Sequence, residues 1–261
     1  MNFTEADRYY QQYKSCRVVA DVASDDVMYN SGQDWYFYVG ESAINAVLSA
    51  LTLSRLSAVK SVLDLPCGHG RVARHLRAAF PNAELAVCDI DPAGVNFCAD
   101  KFYGRPILSA PDLTSVTLGG PFDLIWIGSL FTHVNRDRAE RWLRYLCEHL
   151  GKDGVLLASF HGSFARDVHL RHYPMIGADA WMRIEQQCES TGYGYEAYPS
   201  QDYGISFSRA GTILDMACAI PGTRILGYTE RGWAEHHDVL TIAKTDRAQD
   251  WINAANRYPS D

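Results

Sequence analysis

The sequence has no run of about 18 apolar residues, so no membrane span is expected. Nor does it have the charged start and apolar core of a secretory leader: MNFTEADRYYQQYKSC is polar and aromatic. Its seven cysteines, at 16, 67, 88, 98, 147, 188 and 218, are odd in number and never spaced C-x-x-C. That argues against a disulfide framework or a structural zinc site, and reduced, mostly buried thiols in a cytoplasm are the simple reading. A basic excess is also missing: 24 Lys+Arg against 31 Asp+Glu give a formal charge of −7. Nucleic acid is therefore not the expected partner. No repeat or low-complexity segment occurs. What remains is a chain of 261 residues, 47% hydrophobic and 21% charged, the balance of a folded soluble protein with one large domain.

The middle of the chain alternates strand-like runs with helical patterns, which predicts a parallel α/β sheet. Strands are expected at Ser61–Leu65, Glu84–Cys88, Pro106–Leu108, Phe122–Ile127 and Gly154–Phe160. Helices are expected over 71–80, stopped by Pro81, and from Pro92 to about Phe102 with Asp91 as N-cap. A third runs from Arg136 to Leu150, capped by Asn135 and ended by Gly151. Residues 163–205 show little periodicity and read as an insertion or lid. A helix over 208–220 and strands at 223–228 and 238–243 follow. The chain therefore reads as one domain with a helical cap (1–60), a ligand-binding core (61–162), the insertion (163–205) and a final helix and strand pair (206–261). Ten of the 15 tyrosines fall before residue 39 or between 193 and 203, outside the alternating core. They pack loops, or they wall one pocket over the sheet.

The strongest local signal is VLDLPCGHGR, residues 62–71, where a strand meets Gly68-x-Gly70 and a helix begins. Glycines let the backbone approach a ligand closely, and the helix start offers unpaired N–H groups. With Ala73 the run also fits G-x-G-x-x-A, a dinucleotide fingerprint. Asp64 ends the strand four residues before Gly68, where a carboxylate would repel a pyrophosphate but attract a cation. Asp89 ends the next strand, 19 residues after Gly70, where an acid can accept ribose hydroxyls. A cationic nucleoside without pyrophosphate suits both, and S-adenosylmethionine is such a molecule. The plainer alternative is that both acids cap neighbouring helices.

These residues resemble the first motif of the class I S-adenosylmethionine-dependent methyltransferases. The resemblance implies a Rossmann-like, mostly parallel seven-stranded sheet with helices on both faces and an antiparallel last strand. It implies that Asp64 and the backbone of Pro66, Cys67 and Gly68, with Gly70 completing the turn, face the methionine part of the cofactor. It places Asp89 on the ribose and Ile90 against the adenine, with either Ser109 or Asp112 meeting the adenine amino group. Gly128, Ser129 and Leu130, in FDLIWIGSLFTHV, then pass beside the cofactor. WYFYVGESAI resembles an N-terminal cap of bacterial members and puts Tyr36 over the cofactor. Pro66 departs from the family's usual Gly and removes one N–H.

Transfer from a sulfonium needs mainly in-line placement of a nucleophile; a hydroxyl acceptor also benefits from a base. His133 and His161 follow the fourth and fifth strands and are the candidate bases, ahead of His236 and His237. No metal site is expected, since the His237–Asp238 pair stands isolated in sequence. The expected function is methyl transfer to an oxygen or nitrogen of a small-molecule or glycan-type acceptor. An NAD-dependent oxidoreductase and a non-catalytic S-adenosylmethionine-binding module are the alternatives. Asp64 counts against the former.

Overall fold

A computed structural model describes residues 3–31, 33–54, 56, 58–199 and 203–245. Two helices lead the chain, α1 (Phe3–Ser15) and α2 (Gln33–Leu53), with a 3-10 turn at Val27–Ser31 between them. The alternating core follows as β1 (Ser61–Leu65), α3 (Ala73–Ala79), β2 (Glu84–Asp89), α4 (Pro92–Phe102), β3 (Arg105–Leu108), β4 (Phe122–Ile127), α5 (Arg136–Glu148) and β5 (Leu150–Phe160). Next come α6 (Ser163–Arg171), α7 (Ala178–Thr191), β6 (Tyr193–Ala197), β7 (Gly204–Ser208) and α8 (Ala210–Cys218). The described chain closes with β8 (Thr223–Trp233) and β9 (His237–Lys244). The structure thus confirms each expected core strand.

Seven strands form one sheet in the order β3-β2-β1-β4-β5-β9-β8. The pairings from β3 to β5 are parallel, and β9 runs antiparallel to both β5 and β8. Alternate strand residues point to opposite faces. Val62, Leu124 and Val155 therefore join a core with α2, α3 and α4, while Leu63, Ile125 and Leu156 join one with α5 and α8. Each fully buried aliphatic or Phe side chain there contributes about 1.5–3 kcal/mol. Local chemistry sets the helix starts: Asp91 Oδ1 accepts from Ala93 N–H at 3.0 Å, and Asn135 Oδ1 from Arg138 N–H at 2.9 Å. Strand order reverses between β1 and β4, so their carboxyl ends splay apart into a crevice.

Two expectations are corrected. The third core helix stops at Glu148 rather than Leu150, and Gly151 lies inside β5, which begins at Leu150 and pairs with Phe122. Residues 163–205 are not an irregular lid. They hold two helices and most of the β6–β7 hairpin around a small core of Ala165, Trp181, Ile184, Ile205 and Phe207. That hairpin is bolted to the strand ends. Gly204 and Ser206 N–H donate to His133 and Thr132 C=O, and Ser208 N–H to His161 C=O. Residues 200–202, within the expected lid, and 246–261, within the expected C-terminal unit, lie outside the described residues. Among the described residues no helix is long and apolar enough to cross a membrane.

Candidate active site

Two cavities open along the crevice and share Pro66, Asp89, Ser129 and His133. The first, about 310 Å³, is mostly apolar. Ile90 and Ser109 from the β2 and β3 ends face Leu130, Trp142 and Tyr203 across it. The second, about 260 Å³, lies over the glycine turn and is lined by Cys67, Gly68, Arg71, Gly128, Trp126 and Trp233, with Asp26 and Met28 from the N-terminal cap.

The glycine turn is shaped from below. Cys67 N–H donates to Cys88 C=O, tying the turn to β2, and Gly70 N–H donates to Cys67 C=O. Gly68 has φ +48°, and a Cβ there would meet nothing within 4 Å, so open space lies before its backbone. Gly70 has φ +80°, and its Cβ would fall 2.1 Å from the Phe102 ring, so this glycine serves close packing and does not line either cavity.

The two acids differ. Asp89 Oδ2 accepts from Gly68 N–H at 2.7 Å and Oδ1 from Asp91 N–H at 3.0 Å, while its edge borders both cavities. Asp64 is 1% exposed, and neither carboxylate oxygen has a well-formed hydrogen bond among the described residues. Burial first and Asp89 second raise its pKa well above the usual carboxyl range, with the Ala73 amide acting in the opposite direction. An isolated buried carboxyl of this kind is expensive unless a ligand completes it. Asp89 is thus held by turn amides, and the one helix-end amide acting on Asp64, that of Ala73, makes no well-formed bond to it.

Arg71 lines the second cavity, which Asp89 also borders. Its guanidinium makes no hydrogen bond among the described residues and sits 5.9 Å over the Trp233 ring. Burial lowers its pKa, opposed by Tyr36 and Asp26. Asp26 lines the same cavity and receives the Tyr36 hydroxyl at 2.7 Å.

Of the expected ligand residues, Asp64 is buried beneath the turn and lines neither cavity, whereas Pro66, Cys67, Gly68, Asp89, Ile90, Ser109, Gly128, Ser129 and Leu130 line the cavities. Asp112 does not: it caps a 3-10 turn and accepts from Trp142 Nε1 at 3.1 Å. Tyr36 is fully buried and reaches the site only through Asp26. His133 lies where the two cavities join, with Nδ1 donating to Gly204 C=O at 2.7 Å. Burial lowers its pKa, so the imidazole is neutral with Nε2 as its lone pair. His161 is 7% exposed and lines neither cavity; its Nδ1 donates to Ser206 C=O, and burial holds its pKa near 3. Sequence reading missed Arg71 and Asp26. Arg71 closes the glycine motif and could have been found there, whereas Asp26 has no local signal.

The family profile described as "Methyltransferase domain" matches residues 63–156, which span β1 into β5. The chain is 27% identical over 137 residues to a malonyl-[acyl-carrier protein] O-methyltransferase of Acetivibrio thermocellus, covering 49% of this chain and 45% of that protein. It is 27% identical over 127 residues to an (S)-coclaurine N-methyltransferase of Thalictrum flavum subsp. glaucum, covering 46% and 33%. The chain thus spans less than half the length of these curated relatives. Among solved structures, an amino pentose methyltransferase from Micromonospora echinaspora superposes with a TM-score of 0.54 at 14% identity. That match covers 88% of this chain and 100% of the other, and shows a shared fold.

Proposed function

We propose that the chain, whose residues 63–156 match a methyltransferase-domain profile, is a class I S-adenosylmethionine-dependent methyltransferase that moves a methyl group to an oxygen or nitrogen of a small-molecule or glycan-type acceptor. The observation that carries this reading is Asp64: a buried carboxyl beneath a glycine turn, with no well-formed hydrogen bond among the described residues. It disfavours the nicotinamide dinucleotide alternative.

The residues fit the cofactor. The first cavity takes the nucleoside, with Asp89 accepting from the ribose hydroxyls, Ile90 and Leu130 flanking the base, and Ser109 at its polar edge. The second takes the amino-acid tail, with Arg71 binding its carboxylate, and Asp64, which lines neither cavity, reaching its ammonium group from beneath the turn. Open space before Gly68 admits that tail against backbone. When bound, the cofactor supplies an electrophilic methyl group on a good leaving group. His133, at the junction, accepts the proton of an acceptor hydroxyl or amine at Nε2 while Gly204 holds its ring by Nδ1. Trp126 and Trp233 exclude water from the second cavity, and the bolted β7 strand brings Tyr203 over the first.

Incubation with methyl-labelled S-adenosylmethionine and a panel of hydroxyl- and amine-bearing metabolites tests the proposal. Label transfer that His133→Ala slows supports it. Cofactor binding with no transfer to any acceptor marks a non-catalytic module instead.

A further inference from the structure

Methyl transfer leaves unused a group of imidazoles behind the cleft. His161 follows β5, His236 lies in the β8–β9 turn and His237 opens β9. One potential ligand atom from each falls within 4.8 Å of those of the other two. The rings of His161 and His237 meet edge to face with centroids 4.8 Å apart, and His236 lies 5.7 and 5.2 Å from them. Among the described residues no hydrogen bond joins one imidazole to another. The sequence expectation of no metal site rested on spacing, and the antiparallel β5–β9 pairing is what brings His161 to the turn.

The surroundings orient these rings as they do metal ligands. His161 Nδ1 donates to Ser206 C=O at 3.1 Å, and His237 Nδ1 lies 3.2 Å from Ser159 Oγ. A metal-bound imidazole engages a carbonyl or hydroxyl with its other nitrogen in this way, leaving Nε2 for the ion. Asp238 is 3% exposed and committed to the Tyr228 hydroxyl at 2.7 Å and Arg231 N–H at 3.0 Å. Its oxygens are thus engaged, and it is not a further ligand.

We propose that His161, His236 and His237 bind one divalent transition-metal ion of the imidazole-favouring class, such as Zn²⁺. With Zn–N bonds of about 2.0–2.1 Å, tetrahedral ligand nitrogens stand about 3.4 Å apart, so the pairs close by at most about 1.5 Å. Three protein ligands leave a fourth position for water or a small molecule. The ion clamps the end of β5 to the β8–β9 turn. Through Ser206 it reaches the insertion, and through Ser159, whose Oγ accepts from Ser129 N–H at 2.8 Å, it reaches the cleft wall. The site goes beyond the methyl-transfer reading and does not depend on it.

Chelator-stripped protein titrated with Zn²⁺ by calorimetry and with Co²⁺ by visible absorption tests the proposal without any methyl acceptor. One ion per chain and the intense bands of a tetrahedral Co²⁺ complex are expected. His236→Ala and His237→Gln should each weaken Zn²⁺ binding by more than about 100-fold, beyond the loss of an outer hydrogen-bond partner. His172→Ala, on the exposed end of α6, should leave it unchanged. No stoichiometric uptake, the weak bands of octahedral Co²⁺, or equal binding in His236→Ala overturns the site. Should a variant fail to fold, the Co²⁺ spectrum of the unaltered protein decides alone.

Discussion

Asp64→Asn preserves side-chain shape and removes the ionisable group that the cofactor reading needs. Asp64 is 1% exposed, its oxygens are unpartnered, and burial and Asp89 raise its pKa well above the usual range. An unfolded Asp titrates near pH 4. Between that value and the raised folded pKa, folding takes up a proton, so the ligand-free protein loses about 1.4 kcal/mol per pH unit as pH rises. Below about pH 4 both states are protonated and the penalty disappears. The variant has no such penalty, so its stability advantage grows with pH across the window. Binding moves the other way. Losing a charge-assisted hydrogen bond to the ammonium group removes about 1.5–3 kcal/mol, or about 10- to 150-fold in Kd. Urea unfolding from about pH 5 to 8 measures the first effect, and calorimetry with S-adenosylmethionine the second. Parallel pH slopes for the two proteins, or affinities within about threefold, would refute the reasoning.

Three further substitutions test neighbouring parts of the account. His133→Ala should lower turnover about 10²–10⁴-fold with little change in cofactor affinity. Because burial lowers the His133 pKa, the acid limb of the parent's pH–rate profile should lie below the ordinary histidine value, and an unchanged rate in the variant assigns the residue to structure. Arg71→Met keeps the cavity wall but removes its cation. S-adenosylmethionine binding should weaken by about 1.5–3 kcal/mol while adenosine binding holds, and equal losses for both would remove Arg71 from the carboxylate. Gly70→Ala, at φ +80° and 2.1 Å from Phe102, should destabilise the protein by about 2–4 kcal/mol in a urea melt.

The sheet was legible because each core strand is a short apolar run ended by turn chemistry, and Asp91 and Asn135 mark their helices openly. The insertion was not. Its helices bury few side chains, mainly Ala165, Trp181 and Ile184, so the apolar period is faint. It docks through backbone bonds such as Ser206 N–H to Thr132 C=O, which leave no trace in side-chain pattern. The site divides along the same line. Asp64, Gly68 and Asp89 sit at fixed distances along a strand–turn–helix unit and could be read. Asp26 enters from the cap, its carboxylate held by the Tyr36 hydroxyl, wedged against Arg74, and by Met28 N–H. The three histidines behind the cleft meet only when β9 pairs back on β5.

Under the proposed function, Asp64 beneath the glycine turn, with Asp89 beside the cavities, favours a zwitterionic amino-acid nucleoside over a phosphorylated dinucleotide. Calorimetric titration of the same preparation with S-adenosylhomocysteine and with NADH tests it most directly. The account predicts one saturable site for S-adenosylhomocysteine and no heat from NADH. Saturable NADH binding with none for S-adenosylhomocysteine would contradict it.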